Sequence, residues 1–204
     1  MRNDASDRRR TFDALFASDP DPWGFESTAY EAAKRRATLA MLFPDRFGWA
    51  LEVGCANCVL TAELAGVCDA VLAIDVSPAA LQLAQQRVAE LENVSLARAE
   101  VPREWPEGTF DLIVFSEILY FLSREEISQI ARLAWQSLTE DGVCLLVNWT
   151  GPNDLPVDGQ SARDIFAKEL PWLSAASGVW PQYRIDRLHK TFARKDAASG
   201  RLED

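Results

Sequence analysis

The chain of 204 residues is 48% hydrophobic and carries a formal net charge of -10, with 31 Asp and Glu against 21 Lys and Arg. That length buries one sizeable core, and the acidic balance disfavours nucleic acid and anionic membranes, which are bound through clustered cations that release counterions. No apolar run reaches membrane-spanning length and the start is polar rather than a signal core, so a cytoplasmic protein acting on a small molecule is expected.

Residues 1–10 are charged and residues 196–204 small and polar, so both ends are expected to be loose. Helices are predicted over 11–18 and 29–42, joined by the Pro- and Asp-rich loop 19–25. From Trp49 short apolar runs alternate with amphipathic ones: a strand over 49–53, a helix over 59–66, a strand over 70–74. A helix over 78–91 follows, with Ser77 as its N-cap and Pro78 at its first position, and then a strand over 94–97. The run FDLIVF, 110–115, is apolar apart from Asp111, as a strand buried on both faces should be. Ser123 with Glu126 three residues later opens a helix to 138 by a capping box, and Glu140-Asp141-Gly142 is expected to turn the chain into a strand over 143–149. Strand and helix alternating in this way predict an α/β fold with a parallel, doubly wound sheet. Past the loop 150–159, a helix over 162–170 precedes strands over 173–179 and 183–188; the link between those strands is too short for a crossover, so they should pair antiparallel.

The stretch LEVGCANC, 51–58, admits two chemistries. Cys55 and Cys58 could be a redox pair at a helix start, or Glu-x-Gly could close a buried strand beneath a nucleoside. In open parallel sheets ligands bind beyond the carboxyl ends of the strands. Those ends carry Glu52, Val53, Gly54 and Cys55, then Asp75, then Glu100, then Ser116 and Glu117. A dinucleotide needs Gly-x-Gly-x-x-Gly to bare amide groups for its pyrophosphate, and this loop has only Gly54, with Glu52 set to repel phosphate. S-adenosylmethionine fits better: it has no phosphate, offers a ribose diol to Asp75, and its cationic end suits an acidic rim of Glu52, Asp75 and Glu117.

The segments LEVGCANCVLTAEL, AIDVSPAAL and FDLIVFSEILYFL resemble class I S-adenosylmethionine-dependent methyltransferases, and DPWGFESTAYEAAK narrows the resemblance to the NodS-like group, whose named members N-methylate the amino sugar of nodulation signals. The resemblance covers roughly residues 12 to 190. It implies a Rossmann-like, seven-stranded mixed sheet over 46–195 with an N-terminal helical lid over 11–45. It also implies that Glu52, Gly54 and Ala56 line the cofactor loop, Asp75 holds the ribose, Glu100 lies near the adenine amino group, and Ser116 with Glu117 faces the methionine end. Cys55, Val76 and Val101 complete the strand-end set, and Trp23, Tyr30 and Lys34 belong to the lid, with Lys34 a candidate partner for the cofactor carboxylate. The chain departs from the family pattern at Cys58, where Gly is usual, and at Asn148, where His precedes Trp. Cys58 is small enough to be accommodated in ordinary helical backbone.

The expected reaction is in-line methyl transfer to a small-molecule acceptor, an amine nitrogen before a hydroxyl, releasing S-adenosylhomocysteine. Glu117, Tyr120 and Asp154 are the candidates for orienting the acceptor or taking its proton. Trp149 could form an acceptor wall, Phe121 reads as packing, and the single histidine, His189, has no assigned role. Two alternatives stand beside this reading: a protein that binds the cofactor without turnover, and a Cys-x-x-Cys thiol oxidoreductase. No metal is expected, because Cys68 and Cys144 read as core. Neither the acceptor nor the oligomeric state follows from spacing.

Overall fold

The most continuously apolar strands take the middle of the sheet. The computed structural model describes residues 5–190. In it β1 (Phe47–Val53), β2 (Cys68–Asp75), β3 (Val94–Arg98), β4 (Phe110–Ser116), β5 (Leu138–Trp149), β6 (Trp172–Val179) and β7 (Tyr183–Lys190) form a seven-stranded sheet in the order β3-β2-β1-β4-β5-β7-β6. The pairs among β1 to β5 are parallel, while β7 runs antiparallel to both β5 and β6. Residues 112–115 of β4 are wholly buried because helices cover both faces, which is why the run has no polar alternation. Asp111 is tolerated because its carboxylate accepts the Gly48 and Trp49 amides at 2.6 and 2.8 Å, tying the start of β4 to β1.

The helices are α1 (Ala5–Ser18), α2 (Ala29–Ala40), α3 (Val59–Leu64), α4 (Pro78–Arg87), α5 (Arg124–Ser137) and α6 (Gly159–Glu169), with a 3-10 turn at Leu119–Phe121. Their starts follow the expected chemistry. Ser77 caps α4 ahead of Pro78, and Ser123 with Glu126 closes a complete capping box on α5. Asp158 caps α6, which therefore begins at Gly159 rather than at 162.

Three expectations need correction. Residues 5–10 are helical rather than loose: α1 begins at Ala5, and Arg8 reaches Glu126 at 2.6 Å, anchoring the helix to α5. Residues 1–4 and 191–204, including the tail expected over 196–204, lie outside the described residues. The turn expected at Glu140-Asp141-Gly142 does not form; β5 begins at Leu138 and absorbs those residues as an irregularity in its ladder with β4, where Phe110 pairs with Leu138 but Leu112 with Val143. The helix expected over 78–91 stops at Arg87.

Strand order reverses between β1 and β4, so the crevice of the sheet opens at their carboxyl ends. The N-terminal helices lie against this end. Asp13 of α1 accepts the Ser77 hydroxyl at 3.0 Å and the Ala79 amide at 2.9 Å, placing a carboxylate at the positive end of α4.

Candidate active site

Where β1 and β4 part, Gly54 turns the chain with φ at +81°, and a Cβ there would lie 2.1 Å from Ile118 Cγ2, so no side chain fits. The loop that follows is clamped by Asp75 at the tip of β2, whose carboxylate accepts the Ala56 amide at 2.9 Å and the Ser77 amide at 2.8 Å. Burial raises the Asp75 pKa, and the amide hydrogen bonds oppose that shift.

A cavity of about 610 Å³ opens over these strand tips. Gly54, Ala56, Asp75, Val76, Glu100 and Val101 line one end, and Ser116, Glu117 and Tyr120 the other, with Trp23, Tyr30 and Lys34 contributed from above. Glu100 Oε1 is buried and has no hydrogen-bond partner. A buried carboxylate oxygen left open towards a cavity is a costly arrangement unless a donor arrives there.

The other end is a charged cluster. Glu117 sits at φ +63°, a left-handed conformation uncommon for a residue with a side chain. Its Oε1 accepts Lys34 Nζ at 2.7 Å, and its Oε2 accepts both the Tyr120 hydroxyl and the Trp149 amide, the latter at 2.8 Å. Lys34 also donates to Glu31 Oε1 at 2.9 Å. Burial pulls the Lys34 pKa down, but Glu117 and Glu31 outweigh it and leave the ammonium held above its ordinary value. Burial, reinforced by Glu117, pushes the Tyr120 phenol well up. Burial also raises the Glu31 carboxyl, offset in part by Lys34.

Three expected site residues are not on the wall of this cavity. Glu52 is 1% exposed and lies behind the loop, accepting the Thr61 hydroxyl at 2.5 Å. The alternation of β1 aims it at α3, and burial lifts its pKa to about 8, so at neutral pH it is largely uncharged and forms no part of an acidic rim. Cys55 is packed into the core between sheet and α3. Asp154 is exposed in the loop after β5, and Leu155 beside it is the residue of that pair that reaches the cavity.

The cysteines of LEVGCANC are not a redox pair. Both are free and buried, and the Cys55 thiol is pushed well above its ordinary pKa, first by its hydrogen bond with Cys58 and then by burial. A reactive thiolate requires the opposite shift and access from solvent. Cys58 is also not in ordinary helix: its φ of 61° and ψ of 28° are left-handed, the conformation glycine adopts without cost.

Sequence reasoning missed Arg8, Phe12, Phe16, Phe25, Glu31 and Leu155, all of which line the cavity. The spacing of Phe12 and Phe16 puts both on one face of α1, and Glu31 lies three residues before Lys34, so a helical reading of those pairs could have found them.

The family model for nodulation protein S (NodS) matches residues 10–147. The chain belongs to the NodS family. Nodulation protein S of Sinorhizobium fredii (strain NBRC 101917 / NGR234) is 35% identical over 111 residues, which is 54% of this chain and 50% of that relative. The chain thus spans about half the length of the curated NodS relatives it matches. A solved Pseudomonas syringae structure, described as a candidate methyltransferase, is 34% identical with a TM-score of 0.71, covering 79% of this chain and 99% of its own. The N-methyltransferase NodS of Bradyrhizobium japonicum WM9, in complex with S-adenosyl-L-homocysteine, shares the fold at 22% identity and a TM-score of 0.78, over 89% of this chain and 97% of its own.

Proposed function

We propose that this NodS-family chain is an S-adenosylmethionine-dependent methyltransferase acting on a small-molecule amine. The observation that carries the reading is the cavity at the switch point between β1 and β4, with Asp75 and the unpartnered Glu100 oxygen at one end and the Glu117 cluster at the other. These residues fit the cofactor. Asp75 retains lone pairs for a ribose diol beyond those given to Ala56 and Ser77, and the unpartnered Glu100 Oε1 would accept from an adenine amino group. Val76 and Val101 would flank the base, and Gly54, Ala56 and Ser116 would hold the methionine portion, all five lining the cavity. When bound, S-adenosylmethionine supplies a methyl group on a sulfonium, open to attack by a lone pair.

The protein contributes alignment and dryness rather than a strong acid and base. Residues 11–45 act as the lid, with Trp23, Tyr30 and Lys34 closing the cavity from above. Lys34, Tyr120 and the Trp149 amide hold the Glu117 carboxylate in one orientation at the acceptor end. A relative that bears the name N-methyltransferase favours nitrogen over oxygen as the acceptor atom. No described helix is long and apolar enough to cross a membrane. The net charge of -10 argues against nucleic acid, and the free cysteines suit a reducing cytoplasm.

The test is titration calorimetry of the full chain with S-adenosylmethionine and S-adenosylhomocysteine, beside Asp75→Ala. The wild type is expected to bind both in the micromolar range, and the variant to bind about tenfold or more weakly, because a ribose partner and the clamp on Ala56 are lost together. No binding of either ligand to the wild type would reject the reading. Binding without methyl transfer across a panel of amines would instead favour a cofactor-binding protein.

A further inference from the structure

We propose that Glu31, rather than Glu117, receives the acceptor: it holds an amine with an apolar body in its ammonium form and takes its proton. This rests on the methyltransferase reading and names the acceptor class and the residue that meets it.

Glu117 has less to offer for that work, because three of its roughly four acceptor positions are taken. One of its oxygens accepts Lys34, and the other accepts both the Tyr120 hydroxyl and the Trp149 amide. It is an anchor that keeps the 3-10 turn, the end of β5 and α2 together. Glu31 differs in the one respect that matters. It is 7% exposed and lines the same cavity, its Oε1 accepts Lys34, and its Oε2 accepts no hydrogen bond from any described residue.

The charge count points the same way. Two carboxylates, Glu31 and Glu117, face one ammonium, Lys34, inside a buried cluster. Arg35 is the weakest of the charges acting on Glu31, since its guanidinium is turned to Glu63 at 2.9 Å and to the Phe25 carbonyl. The remaining titratable neighbours, Tyr30 and Tyr120 with Tyr183 packed behind Tyr30, are phenols with raised pKa values and stay neutral. A second ammonium on the open side of Glu31 balances the cluster, whereas a second anion there would be expelled.

The walls select the rest of the acceptor. Tyr30, Trp149, Leu155 and Phe121 surround this end with apolar surface, where a polyhydroxylated body would lose water and find few partners. The step balances. The ammonium passes one proton to the Glu31 carboxylate, leaving a neutral amine and a carboxylic acid. The nitrogen lone pair then forms the bond to the methyl carbon as the carbon–sulfur bond breaks, and that bonding pair stays on sulfur.

The experiment uses the full chain saturated with S-adenosylhomocysteine and probes it with benzylamine, benzyl alcohol and benzoate by saturation-transfer NMR and calorimetry. Benzylamine is expected to bind at least about tenfold more tightly than the alcohol or the acid, and Glu31→Gln to lose that preference about tenfold while still binding S-adenosylhomocysteine as the wild type does. Glu31→Asp should recover part of it. Benzylamine that fails to bind at millimolar concentration, binds no better than benzyl alcohol, or binds Glu31→Gln as well as wild type overturns the proposal. Failure of the wild type to bind S-adenosylhomocysteine would overturn the methyltransferase reading beneath it, and retained binding by Glu31→Gln shows that the variant is folded.

Discussion

The Asp75 end of the cavity is held by neutral backbone amides on a carboxylate, and the Lys34 end by three charges, Glu31 and Lys34 buried and Glu117 partly buried. At the first, Asp75 clamps Ala56 from a strand tip 19 residues away, and Gly54 turns where no side chain fits. At the second, Lys34 meets Glu117 across 83 residues, Glu31 and Tyr120 stand three residues from Lys34 and Glu117 respectively, and Trp149 arrives from a third place in the chain. The difference teaches that two halves of one pocket can fail separately. Amide clamps depend on loop geometry and are indifferent to charge count, while a buried ion cluster depends on every member being present.

The largest expected effect breaks the Lys34 end. Lys34→Met leaves the Glu31 and Glu117 carboxylates buried and facing one another, and should lower stability by about 3–5 kcal/mol in urea unfolding. The loss should be smaller in mild acid, because burial already raises the Glu31 carboxyl and protonating it removes the repulsion. A loss that is small and the same at both pH values would mean that water, not Lys34, neutralises the cluster.

Glu52 tests the support behind the Asp75 end. Its folded pKa of about 8 lies above the ordinary value of 4.5, so the folded state holds the proton more tightly than the unfolded chain. The contribution is therefore fully present below the unfolded value and is lost as pH rises through about 8. Glu52→Gln should remove that slope, so that the wild type loses on the order of 3 kcal/mol relative to the variant between mild acid and mild alkali. Parallel stability curves for the two proteins would show that Glu52 is ionised in the fold.

The smallest effect concerns the loop itself. Cys58→Gly relieves a left-handed residue, whereas Cys58→Ala removes the same sulfur and keeps the strain, so the glycine variant should be more stable than the alanine variant by about 1 kcal/mol. Equal stability would mean that the backbone relaxes without cost. If the strain also loosens the loop, the glycine variant should bind S-adenosylhomocysteine more tightly than the alanine variant.

The legible parts of this protein were those written in short spacings. The capping box at Ser123 and Glu126, the Ser77-Pro78 helix start and the FDLIVF strand each need only a few neighbouring residues, and each forms as read. The turn at Glu140-Asp141-Gly142 misled because the same residues can be carried as an irregularity inside a long strand when a partner strand pairs on both sides of it. Among the site residues, Gly54, Asp75 and Glu100 were readable from strand ends, while Glu31 was hidden as an ordinary helical glutamate beside a lysine.

By itself, then, the sequence determined the doubly wound sheet and the crevice at its switch point, because hydrophobic periodicity and turn chemistry act locally. Tertiary structure alone decided that the Glu52 carboxyl is buried behind the loop with its pKa raised, that Cys58 is left-handed, and that Glu117 accepts three hydrogen bonds while Glu31 accepts one. The physical reason is that protonation, strain and free lone pairs depend on burial and on partners distant in the chain, and residue type and spacing carry neither.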